Sequence, residues 1–104
     1  MTFYTEPSGY EKTALSDLQG AWGNLRNSVV EAGPFQECKR ILFHIDEAMS
    51  WESVRNLEQM KKGLLLIQNI AALSEVPDEV SEWIRIVRDA LFEVFTAIEE
   101  GEAI

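Results

Sequence analysis

At 104 residues, with 46% apolar and 26% charged side chains, the chain has the length and composition of one folded domain rather than a disordered segment. Its net charge of −9, from 18 acidic and 9 basic residues, works against binding to phosphate backbones or anionic lipid and favours a partner protein with a basic surface. One cysteine, Cys38, excludes an intramolecular disulfide framework and makes a reducing, cytoplasmic compartment the expectation. The N-terminus shows no secretory pattern, and the longest apolar runs, 64–67 and 70–73, are far short of the roughly 18 residues a membrane span needs.

Residues 1–8 read as a short extended arm carrying Phe3 and Tyr4. Helical periodicity begins at about residue 9. Ser8 and Glu11 fit a capping box, with Thr13 as a later alternative start. The stripe Leu15, Leu18, Trp22, Leu25 and Val29 follows at 3, 4, 3, 4 spacing, and Gly33-Pro34 stops the helix at about residue 32. Gly20 and Gly23 each weaken this helix by about 1 kcal/mol relative to alanine. Flanking Trp22 as they do, they predict a neighbouring helix packed close beside the indole, with a flexible or ligand-facing groove as the alternative.

The second predicted helix, 35–49, has the stripe Phe35, Cys38, Leu42, Ile45 and Met49, with Ile41 and Ala48 beside it. The pattern then rotates, because the next apolar residues are Val54 and Leu57. Ser50 is a suitable N-cap, and Met49 could staple onto Val54, so a break or bend is predicted at Ser50, with one continuous helix as the alternative. The third helix, 51–73, runs through Leu57, Met60, Leu64, Ile67 and Ala71. Its segment 63–73 is apolar on nearly all sides, which predicts a central position or a subunit interface. Residues 74–76 turn the chain, Pro77 suits the first position of a fourth helix, 77–100, and Gly101 ends it. This helix combines the stripe Val80, Ile84, Val87, Leu91, Val94 and Ile98 with an acidic outer face. The last thirty residues hold nine carboxylates against two arginines, −7 of the total charge. Four amphipathic helices with short connections predict an all-α, single-domain, four-helix antiparallel bundle.

The chain offers little for catalysis. A di-iron bundle usually draws on two Glu-x-x-His motifs and further inward glutamates, whereas this chain has one histidine, His44, and no glutamate in its apolar stripes. Cys38 and His44 lie six residues apart, about 240° around a helix, and cannot pair within it. His44 falls on the polar side and reads as solvated, and Cys38 reads as a buried inert thiol. The acidic pairs Asp46-Glu47, Asp78-Glu79 and Glu99-Glu100 read as solvated, and Lys39-Arg40 and Lys61-Lys62 are too diluted by acids to form a nucleic-acid stripe. No catalytic residue, metal site, cofactor, membrane segment or direct nucleic-acid contact is therefore expected.

What remains is a surface for protein partners. Phe43 and Trp51 lie beside charges, but the acidic fourth helix is the best candidate, with Trp83, Ile86 and Phe92 beside Glu82, Asp89 and Glu93. The expectation is a non-enzymatic, acidic, protein-binding regulator or inhibitor, comparable in class to anti-defence, immunity or anti-activator proteins. The alternative is a structural subunit of a homo- or hetero-oligomer, a homodimer through residues 63–73 being the simplest case.

Overall fold

The computed structural model describes residues 9–54 and 56–99. They form four helices, α1 (Gly9–Ala32), α2 (Cys38–Ser53), α3 (Leu57–Leu73) and α4 (Asp78–Glu99), with no strand among the described residues. The expected all-α bundle is what the chain forms. The capping box at Ser8, the arm 1–8 and the helix stop at Gly101 lie outside the described residues or rest on side chains that do.

Each helix packs against two others. The pairs α1/α4 and α2/α3 are closely packed, and α3/α4 is the loosest of the neighbouring pairs. Contacts along each seam give the direction. Gly33 meets Cys38 near the α1–α2 turn, and Arg26 meets Asp46 further along. Gly63 meets Ala48 between α2 and α3, while Lys61 meets Phe95 between α3 and α4. Consecutive helices therefore run antiparallel.

One cluster of buried residues joins all four helices. The predicted stripes of α1, α3 and α4 supply most of it: Leu18, Trp22, Leu25 and Val29, then Met60, Leu64 and Ile67, then Val80, Val87, Leu91 and Val94. Each such side chain, fully buried, contributes on the order of 1.5–3 kcal/mol of transfer free energy. Trp22, 1% exposed, sits at the centre, and its Nε1–H donates to Met60 Sδ at 3.2 Å. In α2 the buried centre is Ile41, Ile45 and Ala48, while Cys38, Leu42 and Met49 are half-buried. The face is rotated from the predicted stripe because small residues meet at the α2/α3 crossing. A Cβ on Gly63 would lie 3.6 Å from Ala48 Cβ and 4.0 Å from the His44 carbonyl.

Four local expectations are corrected. First, α2 begins at Cys38, not at Phe35; residues 35–37 form a turn, and Glu37 holds φ 68° with no side-chain cap of its own. Gly33 is needed before this turn, since a Cβ there would lie 2.9 Å from Cys38 Sγ. Second, the chain does not break at Ser50. The Ser50 hydroxyl donates to the Glu47 carbonyl at 3.0 Å, the helix continues to Ser53, and the turn falls at 54–56. Asn56 is the N-cap of α3, its side chain accepting from the Gln59 N–H at 3.1 Å. Val54 is exposed and makes no staple. Third, among the described residues nothing lies within 4 Å of a Cβ built on Gly20 or Gly23, so none of the other three helices packs closely against them. Fourth, His44 is not solvated. Its side chain is mostly buried, with Nδ1 3.5 Å from Glu47 Oε1 and no hydrogen bond to Nδ1, and its ring stands edge-on to Phe43.

At the start of α4 the Pro77 carbonyl accepts from the Ser81 N–H at 3.1 Å, with Asp78 and Glu79 in the first turn beside the positive end of the helix dipole. Between α1 and α2, Arg26 Nε donates to Asp46 Oδ1 at 2.7 Å on the surface. The hydrogen bond, and then the charge of Asp46, raise the Arg26 pKa above its ordinary value.

Candidate functional site

The α4 stripe fixes the helix on the bundle, so its remaining faces are held rigidly. The core anchors Val80, Ile84, Val87, Leu91 and Val94 recur every three or four residues. Side chains at 82, 85, 89, 92 and 93 are left facing outward, and all five are exposed.

The six predicted partner-binding residues do not behave alike. Trp83 and Ile86 are half-buried and pack against the core cluster, so they seat α4 more than they project from it. Phe92 is the true projecting aromatic, 70% exposed. Glu82, Asp89 and Glu93 are exposed. Glu82 bonds Arg85, and Asp89 takes Arg88 at 3.1 Å and Arg85 at 3.7 Å, so two arginines on the same helix partly neutralise the acidic face. Ion pairs this exposed contribute roughly 0–1 kcal/mol and exchange readily for a partner's cations.

Four of the six converge. Ile86, Asp89, Phe92 and Glu93 line a concavity of about 540 Å³ between α1 and α4, joined among the described residues by Ala14, Asp17 and Ala90. Its apolar part is built from two alanines, an isoleucine and a phenylalanine. Among the described residues its charged lining is three carboxylates, Asp17, Asp89 and Glu93. Asp17, on the first helix, belongs to this site and was missed by reading the fourth helix alone. Glu82 and Trp83 lie outside the lining.

Phe92 is also a boundary. On its other side a second concavity, about 430 Å³, opens along the α3/α4 seam and includes Lys61, Leu65, Phe92 and Phe95. Phe95 falls beside the α4 stripe and is not singled out by periodicity; it is half-buried, with Lys61 Nζ 5.8 Å from its ring centroid. A third concavity, at the α1–α2 turn, is lined by Val30, Phe35 and Leu42 and by Lys39 and Arg40, and holds none of the predicted residues.

Among the described residues no group of three or more His, Cys, Asp or Glu side chains is arranged to hold a metal ion, and no helix is long and apolar enough to cross a membrane. No model of a known protein family matches the chain, and no curated protein or solved structure is significantly similar to it.

Proposed function

We propose that the protein is a non-enzymatic binding protein of the regulator or inhibitor kind, acting in a reducing, cytoplasmic compartment and covering a basic functional surface on a partner. The observation that carries this reading is the α1/α4 concavity. It sets an exposed Phe92 beside Asp17, Asp89 and Glu93. An aromatic anchor within a charged rim is the usual construction of an energetic centre in a protein interface. A net charge of −9 would steer a basic partner toward the site and raise its association rate at low salt.

The test is paired affinity capture from the native host. Wild-type protein is compared with Phe92→Ala and with the double charge reversal Asp89→Lys/Glu93→Lys, and folding of each is checked by far-ultraviolet circular dichroism. A basic protein retained by the wild type and lost from both folded variants supports the proposal. Glu82→Lys is the control: Glu82 lies outside the concavity, so this change should leave capture largely intact. Equal capture by all four proteins would refute the assignment.

A further inference from the structure

The sequence of α4 contains two basic residues, Arg85 and Arg88, and both reach the same acid. Arg88 donates from Nε and Nη2 to Asp89 Oδ1 at 3.2 and 3.1 Å, and Arg85 Nη1 lies 3.7 Å from Asp89 Oδ2. Each carboxylate oxygen of Asp89 therefore faces a cation of its own helix. Arg85 also bonds Glu82 nearly one turn back, so four charges run as a chain, Glu82, Arg85, Asp89 and Arg88, along the exposed surface of α4.

The two arginines and their shared acid belong to different sides of the helix. Arg85 and Arg88 line the concavity of about 300 Å³ between α3 and α4, and Arg88 also lines the larger one beyond it. Asp89 lines the concavity between α1 and α4. The arginines thus reach across α4 and occupy a carboxylate of the partner site. A cation arriving at Asp89 has to displace an arginine or sit beside two like charges. Exposed ion pairs are individually weak, so this opposition changes affinity by a few-fold and does not close the site.

We infer that Arg85 and Arg88 are built-in competitors for Asp89, holding the α1/α4 site self-paired until a basic partner displaces them. The inference concerns the regulation of that site and rests on the α1/α4 concavity being where a basic partner binds.

The experiment is a nuclear magnetic resonance titration of the full chain, at low salt, with an amidated hexapeptide of alternating leucine and arginine. In the wild type the backbone amides of Ala14, Asp17, Ala90 and Phe92 should shift, and Phe92→Ala should weaken the binding. Arg85→Ala/Arg88→Ala changes two exposed side chains, so it should keep the dispersed spectrum of the fold and tighten peptide binding about threefold or more. Lys39→Ala/Arg40→Ala removes the same amount of charge at the α1–α2 turn and should give less than half of that gain. In an Asp89→Asn background, removing the two arginines should likewise give less than half of it, because the carboxylate they compete for is gone. No tightening, equal tightening from Lys39→Ala/Arg40→Ala, or an undiminished gain with Asp89→Asn would each overturn the inference while leaving the partner site standing. A peptide that leaves the α1/α4 amides unshifted in the wild type and in every variant would instead overturn the partner site itself, and the inference with it.

Discussion

The Trp22–Met60 contact makes a prediction that ordinary core packing does not. Met60 is fully buried and Trp22 is 1% exposed, and the indole N–H has the Met60 sulfur as its acceptor at 3.2 Å. Met60→Leu is close to volume-conserving and would by packing alone cost less than about 1.5 kcal/mol. It also strands the indole N–H in a dry core, and a buried donor left without a partner costs about 1–3 kcal/mol. A thioether is a weak acceptor, so the lower half of that range applies, and the total for Met60→Leu is about 2 kcal/mol. For a domain of this size that corresponds to a fall of roughly 8–16 °C in Tm. In a Trp22→Phe background there is no N–H to strand, and Met60→Leu should cost only its packing share. Urea unfolding of the four proteins of this double-mutant cycle, followed at 222 nm and 25 °C, should show a coupling of about 1 kcal/mol. A coupling below about 0.3 kcal/mol would show that the sulfur contributes packing and no hydrogen bond, and would refute the reasoning.

Three further predictions concern backbone and caps. Gly20→Ala and Gly23→Ala should each stabilise the protein by about 0.5–1 kcal/mol, because no described residue lies within 4 Å of a Cβ at either position and α1 gains helix propensity; a lower Tm for either would mean that something covers that face. Gly33→Ala should destabilise by about 1–3 kcal/mol, since its Cβ would press on Cys38 Sγ at 2.9 Å, and thermal melts should show part of the loss recovered in Gly33→Ala/Cys38→Ala. Asn56→Ala should cost about 1 kcal/mol in urea unfolding through loss of the cap on Gln59, whereas Ser50→Ala should change stability by less than about 0.5 kcal/mol.

The contrast between Ser50 and Asn56 shows where the sequence could be read and where it could not. The four apolar stripes were legible because a helix must bury one face, and three of the four lie where periodicity places them. The α2–α3 boundary was not, because Ser50 and Asn56 are both good caps and tertiary contact decides between them. Trp51 packs against the core cluster, which draws another turn into α2 and leaves the Ser50 hydroxyl to bond back to Glu47. Gly20 and Gly23 misled because a helical glycine looks the same in sequence whether it admits a neighbour or faces open space. The acidic face of α4 was legible from composition, but its geometry was not. Trp83 and Ile86 turn partly inward, Phe92 projects, and Asp17 joins the site from a residue some seventy positions away. The α3/α4 seam was least legible, since Phe95 belongs to no stripe and the groove exists only because two neighbouring helices stand apart.

The central claim, that the Phe92 face receives a basic partner, is tested most directly by site-specific photo-crosslinking in the host. A photo-reactive side chain is placed at position 92 in one variant and at position 43 in another, Phe43 being a comparably exposed aromatic on α2. The account predicts a covalent adduct between position 92 and a basic protein other than this chain, absent from position 43 and abolished by Asp89→Lys/Glu93→Lys. The same adducts from both positions, or none but self-adducts at position 92, would contradict it.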